Sequence, residues 1–371
     1  MPDPASFRTV VMPKWGMSMT EGTINSWLVD DHAEVHAGQE IAEIETDKTV
    51  STVEAEVSGV LHQVRRAGTP AGVGVVIALL AESLLGEDVI SSWRERTPAP
   101  AQAADESGSM ESGLVEAGGR SVGYDRAGSG ATTVLLLHGF GGDRSNWLFT
   151  MDLAGEDYTV VALDLPGHGA SEKTVGDGSA ETFAQTVDEA LDALGIQSAH
   201  LIGHSLGGAV AQALLQRHRE RVLSLTLIDS AGLGPEINGS YLDAFIAART
   251  SRELKGVLQQ LVCRRELVTR DMVESVLRYK RLDGVAGALG VVRAAMAEGS
   301  RQRHELAGPT SAAGVPVLVL WGAQDAIIPA AHAQSVAAAR VITLEGAGHL
   351  PHIENPRAVN RAITEFLARQ P

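Results

Sequence analysis

Residues 203–207, GHSLG, match the pattern G-x-S-x-G, which can present a serine hydroxyl on a sharp turn between a strand and a helix. The apolar run AHLI precedes this turn, and the helical pattern GGAVAQALLQRH follows it. A serine hydroxyl is an effective nucleophile only when a base removes its proton and a third group orients that base. If Ser205 takes part in acyl transfer, the chain must also supply a histidine and an acid.

Two later residues follow strand-like segments in the order that this chemistry requires. Asp325 comes after VLVLWGAQ, and His349 comes after VITLEGAG. The order serine, acid, histidine is the one expected for a nucleophile elbow in a parallel sheet, so we predict Asp325 as the acid and His349 as the base. Asp229, after LTLI, is the alternative acid, and His352 is the alternative base. We interpret His204 as a packing residue of the elbow.

Acyl transfer also requires N–H donors for the oxyanion. We predict the backbone N–H of Leu206, directly after the serine, as one donor. The second is predicted to be the N–H of Phe140, in the turn HGFGG after the first long apolar run of this region. The alternatives are a tight turn without a catalytic role and a phosphate-binding loop. The second is disfavoured, because neither G-x-G-x-x-G nor G-x-x-x-x-G-K-[ST] occurs there.

A second candidate for chemistry lies near the N-terminus, where residues 43–49 read EIETDKT. Residues 8–80 alternate short β-type runs with Gly, Asp and Pro turns, which is typical of an all-β domain. A near-repeat of roughly 36 residues predicts a small sandwich with internal two-fold symmetry. In it, EGTI at 21–24 corresponds to SGVL at 58–61, and GQEIAEI at 38–44 corresponds to GVVIALL at 74–80. The turn that joins the two halves is then exposed, and it contains Lys48.

The second half of the chain follows a different pattern. Unbroken apolar runs end in Gly-rich or polar turns, from VLLLHGF near its start to ARVITLEGAGH near its end. Such runs are typical of strands buried on both faces, and the helical segments between them predict a mostly parallel sheet with helices on both faces. Residues from about 236 to 310 lack such a strand and are predicted to form a helical cap.

We therefore predict an all-β domain at 1–81, a short helix and flexible linker at 82–113, and an α/β domain at 114–371. Residues 97–113, TPAPAQAADESGSMESG, lack periodicity and are rich in Pro, Ala, Ser and Gly. A flexible coil of this length spans roughly 20 to 25 Å.

Composition excludes several classes of function. The formal charge of −16 and the pI near 5.2 argue against nucleic-acid binding. The single cysteine, Cys263, excludes an intramolecular disulfide and suits a reducing cytoplasm. We expect neither a secretory signal nor a membrane helix, and hence a cytoplasmic protein. His32 and His36 lie among acids, but we interpret them as a solvated turn and predict no metal site.

The motifs LLLHGFGG, DLPGHGAS, GHSLGG and GAGHLPHIENP, with the strand that ends at Asp325, resemble the α/β-hydrolase superfamily over residues 114–371. The resemblance implies the fold and the serine, acid and histidine roles. It leaves the substrate open, because this superfamily includes esterases, thioesterases, lyases and acyltransferases.

The segments MPKWGMSMTEGTI and ETDKT, together with Gly38 and the Ser-Gly pair at 58–59, resemble the lipoyl domains of 2-oxo-acid dehydrogenase complexes. Biotin-carrier domains share the architecture, but their modified lysine usually lies between methionines, whereas Asp47 and Thr49 flank Lys48. The resemblance implies lipoate attached to Lys48 by a lipoate-attaching enzyme. A lysine that only solubilises the turn is the alternative.

The combination is unusual, because the chain lacks the motif H-x-x-x-D-G of standard lipoyl-linked acyltransferases and has no peripheral-subunit-binding domain. A lipoyl domain joined directly to an α/β-hydrolase domain resembles the acyltransferase components of acetoin dehydrogenase complexes. The resemblance implies acetyl transfer from lipoyl-Lys48 to coenzyme A. It implies as partners a thiamine-diphosphate-dependent acetoin-cleaving component and dihydrolipoamide dehydrogenase.

Two other functions remain open at this point. One is a hydrolase, an esterase or thioesterase, that uses water as the acceptor and has an accessory lipoyl domain. The other is a lipoyl carrier or scaffold without catalysis. The sequence also leaves open whether the chain forms a homo-oligomer.

Overall fold

A computed structural model describes residues 7–13, 21–45, 50–55, 57–81, 83–96 and 110–370. The chain divides into two compact units, Met1–Glu106 and Ser107–Pro371, which we describe separately. No helix in the described ranges is long and apolar enough to cross a membrane.

The N-terminal unit contains eight short strands in its described residues. They are β1 (Phe7–Val11), β2 (Glu21–Trp27), β3 (Glu34–Val35), β4 (Glu40–Glu45), β5 (Val50–Glu54), β6 (Gly59–Gln63), β7 (Pro70–Gly72) and β8 (Val76–Ala81), followed by helix α1 (Glu87–Arg96). They form two four-stranded antiparallel sheets, ordered β1-β8-β6-β3 and β5-β4-β2-β7. The all-β prediction for this unit is confirmed.

The internal repeat is visible in the pairing of these strands. In one half, β2 pairs with β4, and in the other half β6 pairs with β8. The inward side chains of both sheets form one apolar core that includes Ile24, Ile41, Ile44, Leu61 and Ile77, all fully buried. Burying each such side chain contributes about 1.5 to 3 kcal/mol, so the two half-repeats stabilise each other across the core.

Strands β4 and β5 pair antiparallel, and the last pair in their register is Glu45 with Val50. Residues 46–49 link these two strands and lie outside the described residues. The predicted attachment site, Lys48, is one of them, so its assignment stays a prediction from the sequence.

The C-terminal unit contains ten strands in its described residues. They are β9 (Glu111–Ala117), β10 (Arg120–Ala127), β11 (Thr132–Leu137), β12 (Tyr158–Leu163), β13 (Ala199–His204), β14 (Val222–Ile228), β15 (Ala297–Glu298), β16 (Arg301–Gln302), β17 (Val317–Gly322) and β18 (Arg340–Leu344). Eight of them form one sheet, ordered β18-β17-β14-β13-β11-β12-β10-β9, and β15 pairs with β16. The six strands from β18 to β12 are parallel, and the hairpin β9-β10 is antiparallel at one edge.

Nine α-helices accompany this sheet in the described residues. They are α2 (Ala180–Ala193), α3 (Leu206–Arg217), α4 (Gly239–Ala247), α5 (Ser251–Leu258), α6 (Arg270–Lys280), α7 (Val285–Met296), α8 (Ala307–Ala312), α9 (Pro351–Glu354) and α10 (Pro356–Leu367). Single 3₁₀ turns occur at Arg144–Trp147, Thr150–Leu153, Arg219–Arg221, Arg265–Leu267 and Ala330–Ser335.

Alternation along the central strands explains why helices cover both faces of the sheet. In β11, Leu135 and Leu137 belong to the core that includes helices α2 and α3. Val134 and Leu136 point the other way, into the core that includes helix α10. The predicted parallel sheet with helices on both faces is confirmed, because successive side chains of a strand point to opposite faces.

Two details differ from the sequence predictions. Strand β9 begins at Glu111, three residues before the expected start of the domain at residue 114, because backbone pairing to β10 recruits polar residues without an apolar pattern. Residues 236–310 form the helices α4 to α7, and they also include the small ribbon β15-β16.

Candidate active site

Ser205 lies between β13 and α3 with φ 51° and ψ −115°, outside the conformations that a serine usually adopts. This turn brings neighbouring backbone segments close together, which is possible only because the adjacent residues are glycines. A Cβ on Gly203 would lie 2.5 Å from the carbonyl oxygen of Gly207, and a Cβ on Gly207 would lie 2.1 Å from the carbonyl oxygen of Leu137. The glycines of the motif are therefore required by packing, and the elbow predicted from the sequence is present.

The structure brings together the predicted base and acid. Nδ1 of His349 lies 2.8 Å from Oδ2 of Asp325, and their side chains are 3% and 0% exposed. The backbone N–H groups of Ile327 and Ile328 donate to Oδ1 of Asp325, at 2.7 and 3.1 Å. Burial acts to raise the pKa of the Asp325 carboxyl, but the ring of His349 and these donors hold it below its ordinary value. An ionised Asp325 fixes the tautomer that leaves Nε2 of His349 free as a base.

The alternative acid, Asp229, lies next to this pair but does not hydrogen-bond to His349. Its side chain is fully buried, and Oδ1 accepts a hydrogen bond of 3.0 Å from the N–H of Gly322. Burial and the adjacent charge of Asp325 raise the pKa of Asp229 well above its ordinary value. Two adjacent buried carboxyl groups do not both ionise, so Asp229 keeps its proton and Asp325 carries the charge.

The alternative base, His352, is in the wrong environment for that role. It is 1% exposed, its ring lies 4.7 Å from the ring of Trp147, and neither of its ring nitrogens has a partner among the described residues. Burial lowers the pKa of His352 to about 3. It acts as a neutral packing residue, so of these two candidate bases His349 is the one that contacts an acid.

No hydrogen bond joins the Ser205 hydroxyl to His349 in the described part of the chain. The elbow and the base are connected through His204 instead, whose Nε2 donates to the carbonyl oxygen of His349 at 2.7 Å. Catalytic hydrogen bonds in unliganded enzymes are commonly long and tighten when substrate binds. The prediction that His204 packs against the elbow holds, and its hydrogen bond adds a positioning role.

The HGFGG turn lies directly against the elbow. A Cβ on Gly139 would be 3.1 Å from Cβ of Ser205 and 2.7 Å from Nδ1 of His204, so this position must be glycine. Nδ1 of His138 donates to the carbonyl oxygen of Gly139 at 2.8 Å, and Nε2 accepts from Leu165 N–H at 3.0 Å. Burial lowers the pKa of His138, so a neutral ring fixes this turn.

Sequence reasoning missed Glu354, which lies within the motif GAGHLPHIENP. Its side chain is buried and accepts hydrogen bonds from three backbone N–H groups: Gly348 at 2.6 Å, Cys263 at 2.8 Å and Arg264 at 3.3 Å. The N–H of His349 in turn donates to the carbonyl of Leu261 at 2.8 Å. Glu354 therefore joins the turn before the base to the cap, and the available sequence signal was an acid within an otherwise largely apolar motif.

The cap also covers the glycine turn. The ring of Phe140 lies 5.7 Å from the ring of Phe245 in α4, and a Cβ on Gly141 would meet that ring at 2.4 Å. A cavity begins at Leu206, the residue after the serine, and extends between α2 and the cap to Met296 and His304. The cap residues therefore lie next to the residue that follows the serine.

Comparison with known proteins agrees with this architecture. A family model described as alpha/beta hydrolase fold matches residues 132–356, and one described as Biotin-requiring enzyme matches residues 8–80. A meta-cleavage product hydrolase from Pseudomonas fluorescens superposes with a TM-score of 0.63 at 23% identity, covering 69% of this chain and 97% of that chain. At that identity, the likeness shows the fold alone.

Relatives that match along their whole length share both units. The dihydrolipoyllysine-residue acetyltransferase component of the acetoin cleaving system of Pseudomonas putida is 43% identical over 371 residues, covering 98% of this chain and 100% of the relative. The component of the same description from Cupriavidus necator is 40% identical over 361 residues, covering 96% of each chain. The chain belongs to the family of dihydrolipoyllysine-residue acetyltransferase components of acetoin cleaving systems.

Proposed function

We propose that this chain transfers an acetyl group from a lipoyl thioester on Lys48 to coenzyme A, with Ser205, His349 and Asp325 as the catalytic residues. The observation that carries this proposal is the buried pair of His349 and Asp325 beside the serine elbow, in a chain that also contains a lipoyl-type unit. Whole-length relatives named as acetyltransferase components support transfer over hydrolysis.

The N-terminal unit fits a covalently attached carrier group. The register of β4 and β5 ends at the pair of Glu45 and Val50, so only four residues connect the two strands. Short connections between antiparallel strands are usually exposed, and an exposed lysine is what a modifying enzyme and a second active site both require. When bound at Lys48, the lipoyl group supplies a thiol that carries the acetyl group as a thioester.

In the first half of the proposed reaction, Ser205 attacks the thioester carbonyl. Nε2 of His349 accepts the hydroxyl proton as the bond from Oγ to the carbonyl carbon forms, and Asp325 stabilises the imidazolium. The carbon–sulfur bond then breaks, and His349 returns the proton to the departing thiol. An acetyl-serine remains at Ser205.

In the second half, His349 accepts the proton of the coenzyme A thiol. The thiolate attacks the acetyl-serine carbonyl, the bond to Ser205 breaks, and His349 returns the proton to Oγ. The products are acetyl-coenzyme A and a regenerated serine. In each half His349 accepts one proton and returns it, so no additional acid is required.

Two backbone N–H groups are proposed to stabilise the oxyanion in each half. Leu206 is the first residue of α3, so its N–H has no acceptor within the helix. Phe140 follows Gly139, which lies against Ser205. Donors of this kind typically contribute 10²- to 10³-fold each to the rate.

We propose the domain boundaries predicted from the sequence, 1–81, 82–113 and 114–371 with a cap at about 236–310, with the last boundary moved to residue 111, where strand β9 begins. The composition of residues 97–110 is typical of a flexible linker, which would let the lipoyl unit visit several active sites. The proposed partners are a thiamine-diphosphate-dependent component that acetylates the lipoyl group and dihydrolipoamide dehydrogenase, which reoxidises it. A lipoate-attaching enzyme loads Lys48.

Product partition tests this proposal. The purified chain is given acetyl-dihydrolipoamide with coenzyme A, and acetyl-coenzyme A and free acetate are both measured. We expect mainly acetyl-coenzyme A and, in Ser205→Ala, a loss of at least 10³-fold. Acetate as the main product would show a hydrolase. Full activity in Ser205→Ala would refute the acyl-serine route, and absence of both products in the wild-type chain would indicate a carrier without catalysis.

A further inference from the structure

The N-terminal unit contains a cluster of potential metal ligands that the sequence does not reveal. The sequence pairs His32 with His36, four residues away, but the structure places His32 against His62 of strand β6 instead. One ligand atom from each of Asp31, His32 and His62 lies within 4.8 Å of the other two. The cluster joins the turn between β2 and β3 to a strand of the opposite half-repeat.

The two imidazole rings meet through their Nδ1 atoms, which are 3.0 Å apart. Oδ2 of Asp31 lies 3.7 Å from Nε2 of His32. The side chains of His32 and Asp31 are 45% and 35% exposed, whereas His62 is fully buried. Solvent therefore reaches the cluster from the side of the turn, and strand β6 closes the buried side.

Backbone hydrogen bonds hold this turn in place. The N–H of His32 donates to the carbonyl of Leu61 at 2.8 Å, and the N–H of Gln63 donates to Oδ1 of Asp31 at the same distance. His32 has a φ of 67°, a left-handed conformation that a histidine rarely adopts. The turn thus presents the His32 ring to His62 at the cost of a strained backbone, as binding sites commonly do.

The far side of the His62 ring is compatible with either tautomer. Its Nε2 lies 3.2 Å from the N–H of Leu85, which can donate to it, and the carbonyl of Ser83 can accept from the ring. When an ion occupies Nδ1, Nε2 must carry the proton, so its contact with the N–H of Leu85 has to lengthen. Metal-binding histidines usually have an acceptor for the proton of the second nitrogen.

We propose that Asp31, His32 and His62 form a binding site for a divalent transition-metal ion of the zinc, cobalt or nickel class. Two imidazole nitrogens and one carboxylate oxygen suit these ions better than magnesium or calcium, which prefer oxygen ligands. Three protein ligands leave at least one coordination position open to water.

The observed spacing is close to that of a filled site. Two nitrogens each about 2.05 Å from one ion are about 2.9 Å apart at a right angle and about 3.35 Å apart at the tetrahedral angle. The 3.0 Å separation in the structure needs little change for six-coordinate cobalt or nickel. For tetrahedral zinc, the exposed His32 ring must move by a few tenths of an ångström.

A bound ion would crosslink the turn at 30–33 to strand β6 and so stabilise the N-terminal unit. An ion that binds only the folded unit stabilises it, and this stabilisation increases as the ion concentration rises above its Kd. The proposal concerns the N-terminal unit alone and is independent of the chemistry at Ser205.

Titration of Co²⁺ into the tag-free, lipoate-free full chain tests the site, because nitrogen and oxygen ligands give visible d–d absorption without the thiolate charge-transfer band that Cys263 would add. We expect one saturable site and a Zn²⁺-dependent rise in the melting temperature of the N-terminal unit. His32→Asn and His62→Gln should each weaken binding at least tenfold. His36→Asn, a nearby exposed histidine outside the cluster, should bind as the wild type does.

His32→Asn is the decisive variant, because asparagine tolerates the left-handed turn and the unit should fold even where His62→Gln does not. Unchanged Co²⁺ binding in His32→Asn would overturn the proposal. Binding that survives in His32→Asn but is lost in Asp325→Asn would place the ion at the active site and would also overturn it. Absence of saturable binding in the wild type would show that His32 and His62 share only a hydrogen bond.

Discussion

Nε2 of His204 lies 2.7 Å from the carbonyl oxygen of His349, so the residue before the proposed nucleophile holds the backbone of the proposed base. Burial, together with the neighbouring rings of His352 and His349, lowers the pKa of His204 well below its ordinary value. The ring is therefore neutral and donates through Nε2. This bond spans 145 positions of the sequence and ties the serine elbow to the turn after the last strand.

His204→Ala should lower kcat by roughly 10- to 100-fold with little change in KM, because the turn that carries His349 loses its anchor while the binding surfaces remain. His204→Gln, whose amide can donate to the same carbonyl, should recover part of the rate. Steady-state kinetics of the two variants would measure this difference. Equal losses in both would show that ring packing, and not the hydrogen bond, is what matters.

Asp325→Asn and Asp229→Asn should differ strongly although the two carboxyl groups are adjacent. Asp325→Asn should reduce kcat by about 10³- to 10⁴-fold, because the amide no longer fixes the tautomer of His349. Asp229→Asn replaces a group that is already neutral, and its amide oxygen can still accept from the N–H of Gly322, so kcat should fall less than about tenfold. Measurement of kcat for both variants at pH 7 tests this difference. An inactive Asp229→Asn with an active Asp325→Asn would show that Asp229 is the acid that orients His349.

The buried His352 should make the C-terminal unit less stable in acid. Its pKa is about 3 in the folded state and 6.5 in the unfolded chain, so below pH 6.5 the unfolded state binds the extra proton. Above pH 6.5 His352 is neutral in both states and does not lower the stability. Below pH 6.5 it lowers the free energy of unfolding by about 1.4 kcal/mol per pH unit, down to about pH 3. His352→Phe should flatten this slope in denaturant unfolding followed between pH 7 and 4, whereas a change at the exposed His36 should not.

Glu354→Gln should loosen the turn before His349 and its contact with the cap. The amide presents an N–H₂ group to backbone donors that now face a carboxylate, so the free energy of unfolding should fall by about 2 to 3 kcal/mol. Glu345→Gln, at an exposed acid in the same region, should change it by less than about 0.5 kcal/mol. Thermal unfolding and kcat would both be measured, and equal stability of the two variants would contradict the role of Glu354.

Expression with lipoate should add one lipoyl group to the wild-type chain and none to Lys48→Arg. Arginine keeps the charge of the turn but offers no amine that can form the amide bond. Intact-mass measurement followed by peptide mapping would locate the added mass. A wild-type chain that stays unmodified under these conditions would contradict the proposal that Lys48 carries lipoate. The proposed acyl transfer at Ser205 would then be tested with free acetyl-dihydrolipoamide alone.

Local sequence was sufficient for the features that depend on neighbouring residues. The unbroken apolar run of β11 predicted a strand covered on both faces, and the glycines around Ser205 predicted the elbow, because both follow from conformations within a few residues. The half-repeat in the N-terminal unit predicted its symmetric sandwich, because the similarity between its two halves is visible in the sequence. The early start of β9 escaped prediction because backbone pairing at a sheet edge leaves no apolar pattern.

The sequence by itself determined the two folds, the serine and the order in which an acid and a histidine follow it. Only the tertiary structure decided that Asp325, and not Asp229, hydrogen-bonds to His349, that Glu354 joins this turn to the cap, and that His32 meets His62. Each of these contacts joins residues from separate elements. Their distances and the protonation state of Asp229 depend on burial and on charges that come together only when the chain is packed.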